Sequence, residues 1–239
     1  MKTLVLLLSL LIIPFVANSQ IKLTRVHSNM EAYEFNGGEK ALHWVTNGRI
    51  ALSSRDAINL EVIGAYYTRD GITDWTPGDF SITYSRSYAS SKVGSSGWQG
   101  WSPIVKLVMP TGDPANAAIF GHWLLEPAVQ YKWLLKDQRF YISNKWRYNF
   151  PLANTGEWPE PPILLRFEPK FGFTSDKWSA AFSLDNRAVF NQDAFVIYAR
   201  VDAGYKLGSR SGLNAFYTNR VRHQVLFKAY GGIGFYYNF

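Results

Sequence analysis

The chain has no cysteine among its 239 residues, and that absence removes several classes of protein at once. A disulfide scaffold, a thiol nucleophile, an iron–sulfur cluster and a cysteine-ligated zinc are all excluded. Long hydrophobic runs are lacking too. The longest, Leu4 to Ala17, falls short of the roughly 18 residues a membrane helix needs. A mean hydropathy of -0.14 is also too polar for a helical membrane protein. Acids are scarce beside bases, 18 against 25. The four histidines (His27, His43, His122 and His223) show no ligand spacing, so neither a metal nor a cofactor is expected. There is no Gly-x-Ser-x-Gly elbow, and the glycine-rich stretches at 94–97 and 231–232 do not open a helix.

The N-terminus reads as an export signal. Met1-Lys2-Thr3 gives a short basic start, Leu4 to Val16 an apolar stretch, and Ala17-Asn18-Ser19 small residues for cleavage before Gln20. Residues 1–19 are therefore expected to be a signal peptide and 20–239 an exported domain.

Aromatic residues are plentiful, with 9 Trp, 14 Tyr and 16 Phe, and they follow a period of two. Trp123, Leu125, Pro127, Val129, Tyr131 and Trp133 alternate with His122, Leu124, Glu126, Ala128, Gln130 and Lys132. Phe140, Ile142, Trp146, Tyr148 and Phe150 likewise oppose Arg139, Ser143, Lys145, Arg147 and Asn149. Successive strand residues point to opposite faces, so each segment has one apolar and one charged surface. Many of these runs exceed the five or six residues usual in soluble strands and suit a tilted crossing of a bilayer. Trp and Phe near the segment ends suit interfacial girdles. The stretches 53–56, 135–137, 174–176 and 208–210 read as tight turns, and 69–78, 111–120 and 151–161 as long outer loops. The chain closes on Gly232-Ile-Gly-Phe-Tyr-Tyr-Asn-Phe239, an alternating aromatic end like the recognition signal of bacterial outer-membrane barrels.

The expected fold is all-β, a single antiparallel transmembrane barrel in the outer membrane. Eleven segments alternate clearly, near 41–52, 57–68, 79–88, 101–110, 121–134, 138–150, 162–173, 177–187, 194–207, 211–220 and 226–239. Bacterial single-chain barrels have even strand numbers, so a weaker segment near 28–35 makes twelve, with ten as the alternative. Both chain ends then face the periplasm. The expected partners are outer-membrane lipids and lipopolysaccharide, and the barrel-assembly machinery through Phe239. Although the isoelectric point is near 9.5, the cations alternate with lipid-facing residues, which excludes a nucleic-acid surface.

The run Trp101-Ser-Pro-Ile-Val-Lys-Leu-Val-Met-Pro-Thr-Gly-Asp113, followed by Gly121-His-Trp-Leu-Leu-Glu-Pro-Ala-Val-Gln-Tyr131, resembles the "MetA-pathway of phenol degradation" family of outer-membrane barrels. Asn47-Gly48-Arg49, Ser54-Arg55-Asp56 and Ile58-Asn-Leu-Glu-Val62 are similar to its early hairpin. The resemblance covers about residues 41–239, and Phe120-Gly121-His122 departs from the family's small, glycine-rich sequence. It implies a transporter-like channel for small, often hydrophobic or aromatic compounds.

With the apolar face in lipid, thirteen bases point inward: Arg49, Lys106, Lys132, Arg139, Lys145, Arg147, Arg166, Lys170, Arg187, Arg200, Lys206, Arg220 and Lys228. Five acids join them, Glu61, Glu126, Glu168, Asp185 and Asp202. Either this is an anion-preferring pore or the charges pair into a lattice that fills the barrel. The lumen candidates are Lys106, Lys132, Arg139, Lys145, Arg147 and Arg166, tuned by Glu126 and Glu168. Two other classes stand beside the channel. A lipid-modifying hydrolase would use His122 with Glu126, and a surface-binding or structural barrel would use Trp75 and Trp158 on outer loops.

Overall fold

The computed structural model describes residues 21–69, 72–89, 95–111, 122–135, 139–153, 162–222 and 227–239. The expected signal peptide lies outside them. Strands β1 (Lys22–Phe35), β2 (Lys40–Ala51) and β3 (Asp56–Arg69) are continuous, and β4 runs in three pieces, Ile72–Pro77, Phe80–Arg86 and Tyr88–Ala89. There follow β5 (Gly97–Met109), β6 (Trp123–Leu134), β7 (Phe140–Ala153), β8 (Leu164–Thr174), β9 (Trp178–Val189), β10 (Ala194–Lys206), β11 (Ser211–Arg222) and β12 (Phe227–Asn238). Neighbours in sequence pair antiparallel, and β1 pairs with β12 from Arg25↔Asn238 to Phe35↔Phe227. The result is a closed twelve-stranded barrel. An antiparallel closing pair requires an even count, so the twelfth strand is demanded by geometry.

The period of two explains both faces. Ile233 and Val221 are 68% and 65% exposed on the outside, in company with Trp44, Val62, Phe182 and Tyr217. An apolar outer surface of this extent needs lipid around it. Exposed aromatics stand toward both ends of the barrel, with Trp75, Phe150 and Phe190 at the far end and others at the near end, the one that carries both described chain ends. Trp178 packs on Tyr205 with ring centroids 4.5 Å apart, and Tyr88 on Trp101 at 4.7 Å. Trp146 sits at mid-strand instead, against Phe167 at 4.4 Å. Inside, Leu164, Val189, Val196 and Tyr198 form a fully buried cluster toward the far end.

Two expectations change. Strand β1 is fourteen residues long and starts at Lys22, well before the segment near 28–35. Its outward face carries Lys22, Thr24, Ser28 and Glu34, so polar residues on both faces conceal the alternation. Residues 69–78 are not a long outer loop, because Ile72–Pro77 pairs back on Gly64–Arg69 and only 70–71 separate the two strands. Consequently the loop asymmetry is weaker than the sequence implied: at the far end, 36–39 and 190–193 are also short.

The ladder of β4 breaks at Gly78-Asp79, and the break is patched from β5's far end. The Thr111 hydroxyl donates to the Gly78 carbonyl (2.9 Å) and accepts from the Phe80 amide (2.9 Å). Gly78 is obligatory there, since a Cβ would lie 2.6 Å from that of Ile63. Thr111 belongs to the Pro-Thr-Gly run that stood out in the sequence, and its structural role is this patch. Replacing it by valine keeps the shape and removes both bonds. Thr111→Val should lower stability by about 1–3 kcal/mol, as expected for two backbone groups left unsatisfied. Thr111→Ser should stay near the parent. Urea midpoints of the barrel in lipid vesicles, followed by tryptophan fluorescence, check both.

Candidate functional site: the barrel lumen

On β7 the inward positions are Ser143, Lys145, Arg147 and Asn149, while Ile142, Trp146 and Phe150 face outward and are exposed. Register then sets like charges side by side. Arg147 stands directly across from Arg166 on β8, and Arg166 across from Arg187 on β9. Three adjacent arginines repel one another, and three carboxylates interleave to offset this. Arg147 lies 3.4 Å from Glu126 and 3.2 Å from Glu168. Arg166 lies 3.3 Å from Glu168 and donates twice to Asp185, at 3.1 and 2.7 Å. Arg187 reaches the same Asp185 at 2.5 Å.

Both glutamates precede a proline, Glu126-Pro127 on β6 and Glu168-Pro169 on β8. Proline has no amide hydrogen for the ladder. The β6–β7 register accordingly skips from Leu125↔Phe150 to Ala128↔Arg147, and the β8–β9 register from Phe167↔Asn186 to Lys170↔Ser183. Each skip falls at an arginine-bound glutamate, so the wall is irregular where the charges are densest.

Ion pairs continue around the wall. Lys106 binds Glu61 at 2.8 Å, with the Ser81 hydroxyl donating to the same carboxylate at 3.0 Å. Lys170 and Arg200 share Asp202 at 3.0 and 2.8 Å. Near the closing seam the polar groups bond without cations. Tyr33 donates to Glu31 at 2.7 Å, and the Asn214 amide donates to Asn29 at 3.1 Å. Glu31 and its partners were missed in the sequence because β1 hides its period, as described above.

All five expected inward acids thus hold a cation within 4 Å. Several bases do not. Among the described residues, no carboxylate lies within ion-pair distance of Arg25, Arg49, Lys132, Lys145 or Lys206. Arg25 lies over the Tyr236 ring at 4.3 Å and Lys132 over the Tyr141 ring at 4.4 Å. All five stand in the half of the lumen toward the near end. Of the candidates from the sequence, Lys106, Arg147, Arg166, Glu126 and Glu168 come together in the ion-paired belt, and Lys132 and Lys145 stand below it. Arg139 precedes β7 in an exposed turn, where its carbonyl accepts from the Thr174 amide at 2.8 Å. Trp75 is on a strand, not a loop: it pairs with Tyr66 on the outer face, its Nε1 3.3 Å from where a Gly64 Cβ would be. Trp158 lies outside the described residues.

Space remains on both sides of the belt. A cavity of about 200 Å³ lies above it, bounded by Glu61, Lys106, Arg147 and Leu164. One of about 270 Å³ lies below, bounded by Lys145, Arg166, Lys170 and Arg200 and by the carboxylates Glu168 and Asp185. Arg166 borders both. A larger hollow of about 610 Å³, between Trp44, Trp178 and Ile233, is on the outer face, where lipid tails would fill it.

No protein-family model matches this sequence, and no characterised protein matches it at the sequence level. Solved structures do match in fold. The COG4313 outer membrane channel from Pseudomonas putida F1 superposes with a TM-score of 0.68 at 12% identity, over 93% of this chain and 98% of that one. The NanC porin gives 0.63 at 9% identity, over 90% of this chain and 100% of its own. The KdgM porin gives 0.62 at 12%, over 90% and 99%. The fold is therefore that of outer-membrane channel and porin barrels.

The interleaved belt makes a stability prediction. Glu126 is 5% exposed, and Arg147 is the cation bonded to it. Arg147→Met should cost about 3–5 kcal/mol, because it strands a buried charge. Adding Glu126→Gln should recover a large part of that loss. A double-mutant cycle from urea unfolding reads the coupling; strictly additive losses would contradict it.

Proposed function

We propose that the chain forms an outer-membrane channel for passive passage of small solutes, with a basic lumen that prefers anions. One observation carries this reading. The five inward acids expected from the sequence are bound to cations, while Arg25, Arg49, Lys132, Lys145 and Lys206 stand without an ion-pair partner toward the near end. Unopposed cations between low-dielectric walls focus the field on an entering anion. Twelve strands also lie between the eight-stranded barrels filled by side chains and the 16–18-stranded porins with an open aqueous channel. The resemblance to the MetA-pathway family points to hydrophobic or aromatic solutes. The charged and hydroxylated walls of the near half support small hydrophilic anions instead.

The same reading puts the near end in the periplasm, and outer-membrane lipids and lipopolysaccharide around the apolar face. It gives Phe239, exposed beside Tyr237 at a ring distance of 5.1 Å, to the barrel-assembly machinery.

The test is single-channel recording of the refolded barrel in a planar bilayer under a potassium chloride gradient. A conducting barrel with a reversal potential of the chloride sign is expected. Lys132→Gln combined with Lys145→Gln should move that potential toward zero. An inserted barrel that carries no current, or a reversal potential of the potassium sign, would overturn the reading.

A further inference from the structure

A cavity of about 480 Å³ opens toward the near end between β2 and β7, below the ion-paired belt. Its charged lining residues are Arg49, Lys132 and Lys145, and no carboxylate is among the described residues that bound it. Tyr88, Trp101, Ile104 and Tyr131 give the wall apolar surface, and its neutral polar side chains include two short rows set by strand register. Arg49 stands across from Asn59, and Asn59 across from Thr83. Ser102 stands across from Gln130, and Gln130 across from Lys145. Each row therefore presents a cation at one end with an amide and a hydroxyl beside it. Among the described residues, no group accepts a hydrogen bond from the side chain of Arg49 or Lys145. Lys145 and Gln130 also border the smaller cavity below Arg166, so the two spaces are neighbours.

We propose that this cavity is a binding site for a small polyhydroxylated anion. The charged group of the ligand meets Lys145, with Arg49 and Lys132 adding positive field, and its hydroxyls meet the two neutral rows. The volume falls within the roughly 300–1,000 Å³ of small-ligand sites and exceeds what a bare halide needs. The donors select against an apolar anion, because burying amides and hydroxyls against a hydrocarbon ring leaves them unpaired. Glu168 stands across from Lys145 on β8, but its ion pairs are with Arg147 and Arg166, which leaves the Lys145 ammonium without an ion-pair partner. The proposal rests on the channel reading only in that the ligand would be a transported solute; binding itself is a separate observable.

The test is titration calorimetry on the refolded barrel in detergent, with glucose 6-phosphate, glucose, inorganic phosphate and benzoate as probes. Glucose 6-phosphate should bind saturably, and the other three should each bind about tenfold more weakly or worse, a difference of roughly 1.4 kcal/mol. Lys145→Gln should weaken glucose 6-phosphate by a similar factor. Because Lys145 forms no ion pair, this variant should fold like the parent. Lys228→Gln, which breaks the remote contact with Glu34 at 2.8 Å, should leave affinity unchanged. The site is overturned if glucose 6-phosphate gives no saturable heat or binds Lys145→Gln equally well. Phosphate or benzoate binding as tightly as glucose 6-phosphate overturns it too, since the neutral rows would then contribute nothing. A barrel that conducts yet binds nothing overturns the site alone. One that binds but carries no current overturns the channel reading alone.

Discussion

Everything in this structure depends on one constraint: backbone groups in a bilayer have no water to bond with. An open sheet would leave two rows of amides and carbonyls in hydrocarbon, at several kcal/mol for each unsatisfied group. Pairing β1 with β12 abolishes both edges. Once the sheet is closed, its two faces meet different surroundings and the sequence must alternate to match. The outward face becomes Trp44, Val62, Phe182 and Ile233. The inward face carries the charge, with the apolar cluster of Leu164, Val189, Val196 and Tyr198 toward the far end.

Confining charge in a barrel raises a second problem, that of like charges held in register. Arg147, Arg166 and Arg187 are directly opposed on three neighbouring strands. Alone, such a row would force the wall apart. Glu126, Glu168 and Asp185 convert it into a row of alternating sign, with two of these acids at proline-interrupted points in the ladder. The paired belt lines the wall of β3 and β5–β9, and the cations without an ion-pair partner lie on one side of it. In the proposed channel, filling and selecting are divided along the axis of the barrel, the belt doing the first and Arg49, Lys132 and Lys145 the second.

Much of the wall was legible in the sequence because lipid enforces strict alternation. Strands such as β6 and β7 were readable from Trp123, Tyr131, Trp146 and Phe150 alone. Strand β1 was legible only in part, since its outward Ser28 is polar; it bonds the Trp44 indole at 2.6 Å on the outer surface. Residues 72–77 looked like a loop because Asp74 and Pro77 are turn formers, yet Trp75 stacking over Gly64 holds them in the sheet. For the lumen, the alternation was enough to name inward charges on the clear strands, but it missed Arg25 and Glu31 on β1 and counted Arg139, which stands in a turn, among them. It did not give their pairing, which depends on register and on strand skips at Pro127 and Pro169. Ion-paired charges and cations without an ion-pair partner stand at different depths of one barrel.

The most direct test of this account uses the missing cysteine. Single cysteines can be placed one at a time at each position from Ile142 to Phe150 in the refolded barrel in lipid vesicles, without any native thiol to interfere. Labelling by a charged, membrane-impermeant thiol reagent should follow a period of two. Positions 143, 145, 147 and 149 should react, and positions 142, 144, 146, 148 and 150 should be protected by lipid. Uniform labelling, or the reverse phase, would contradict the assignment of the charged face to the lumen.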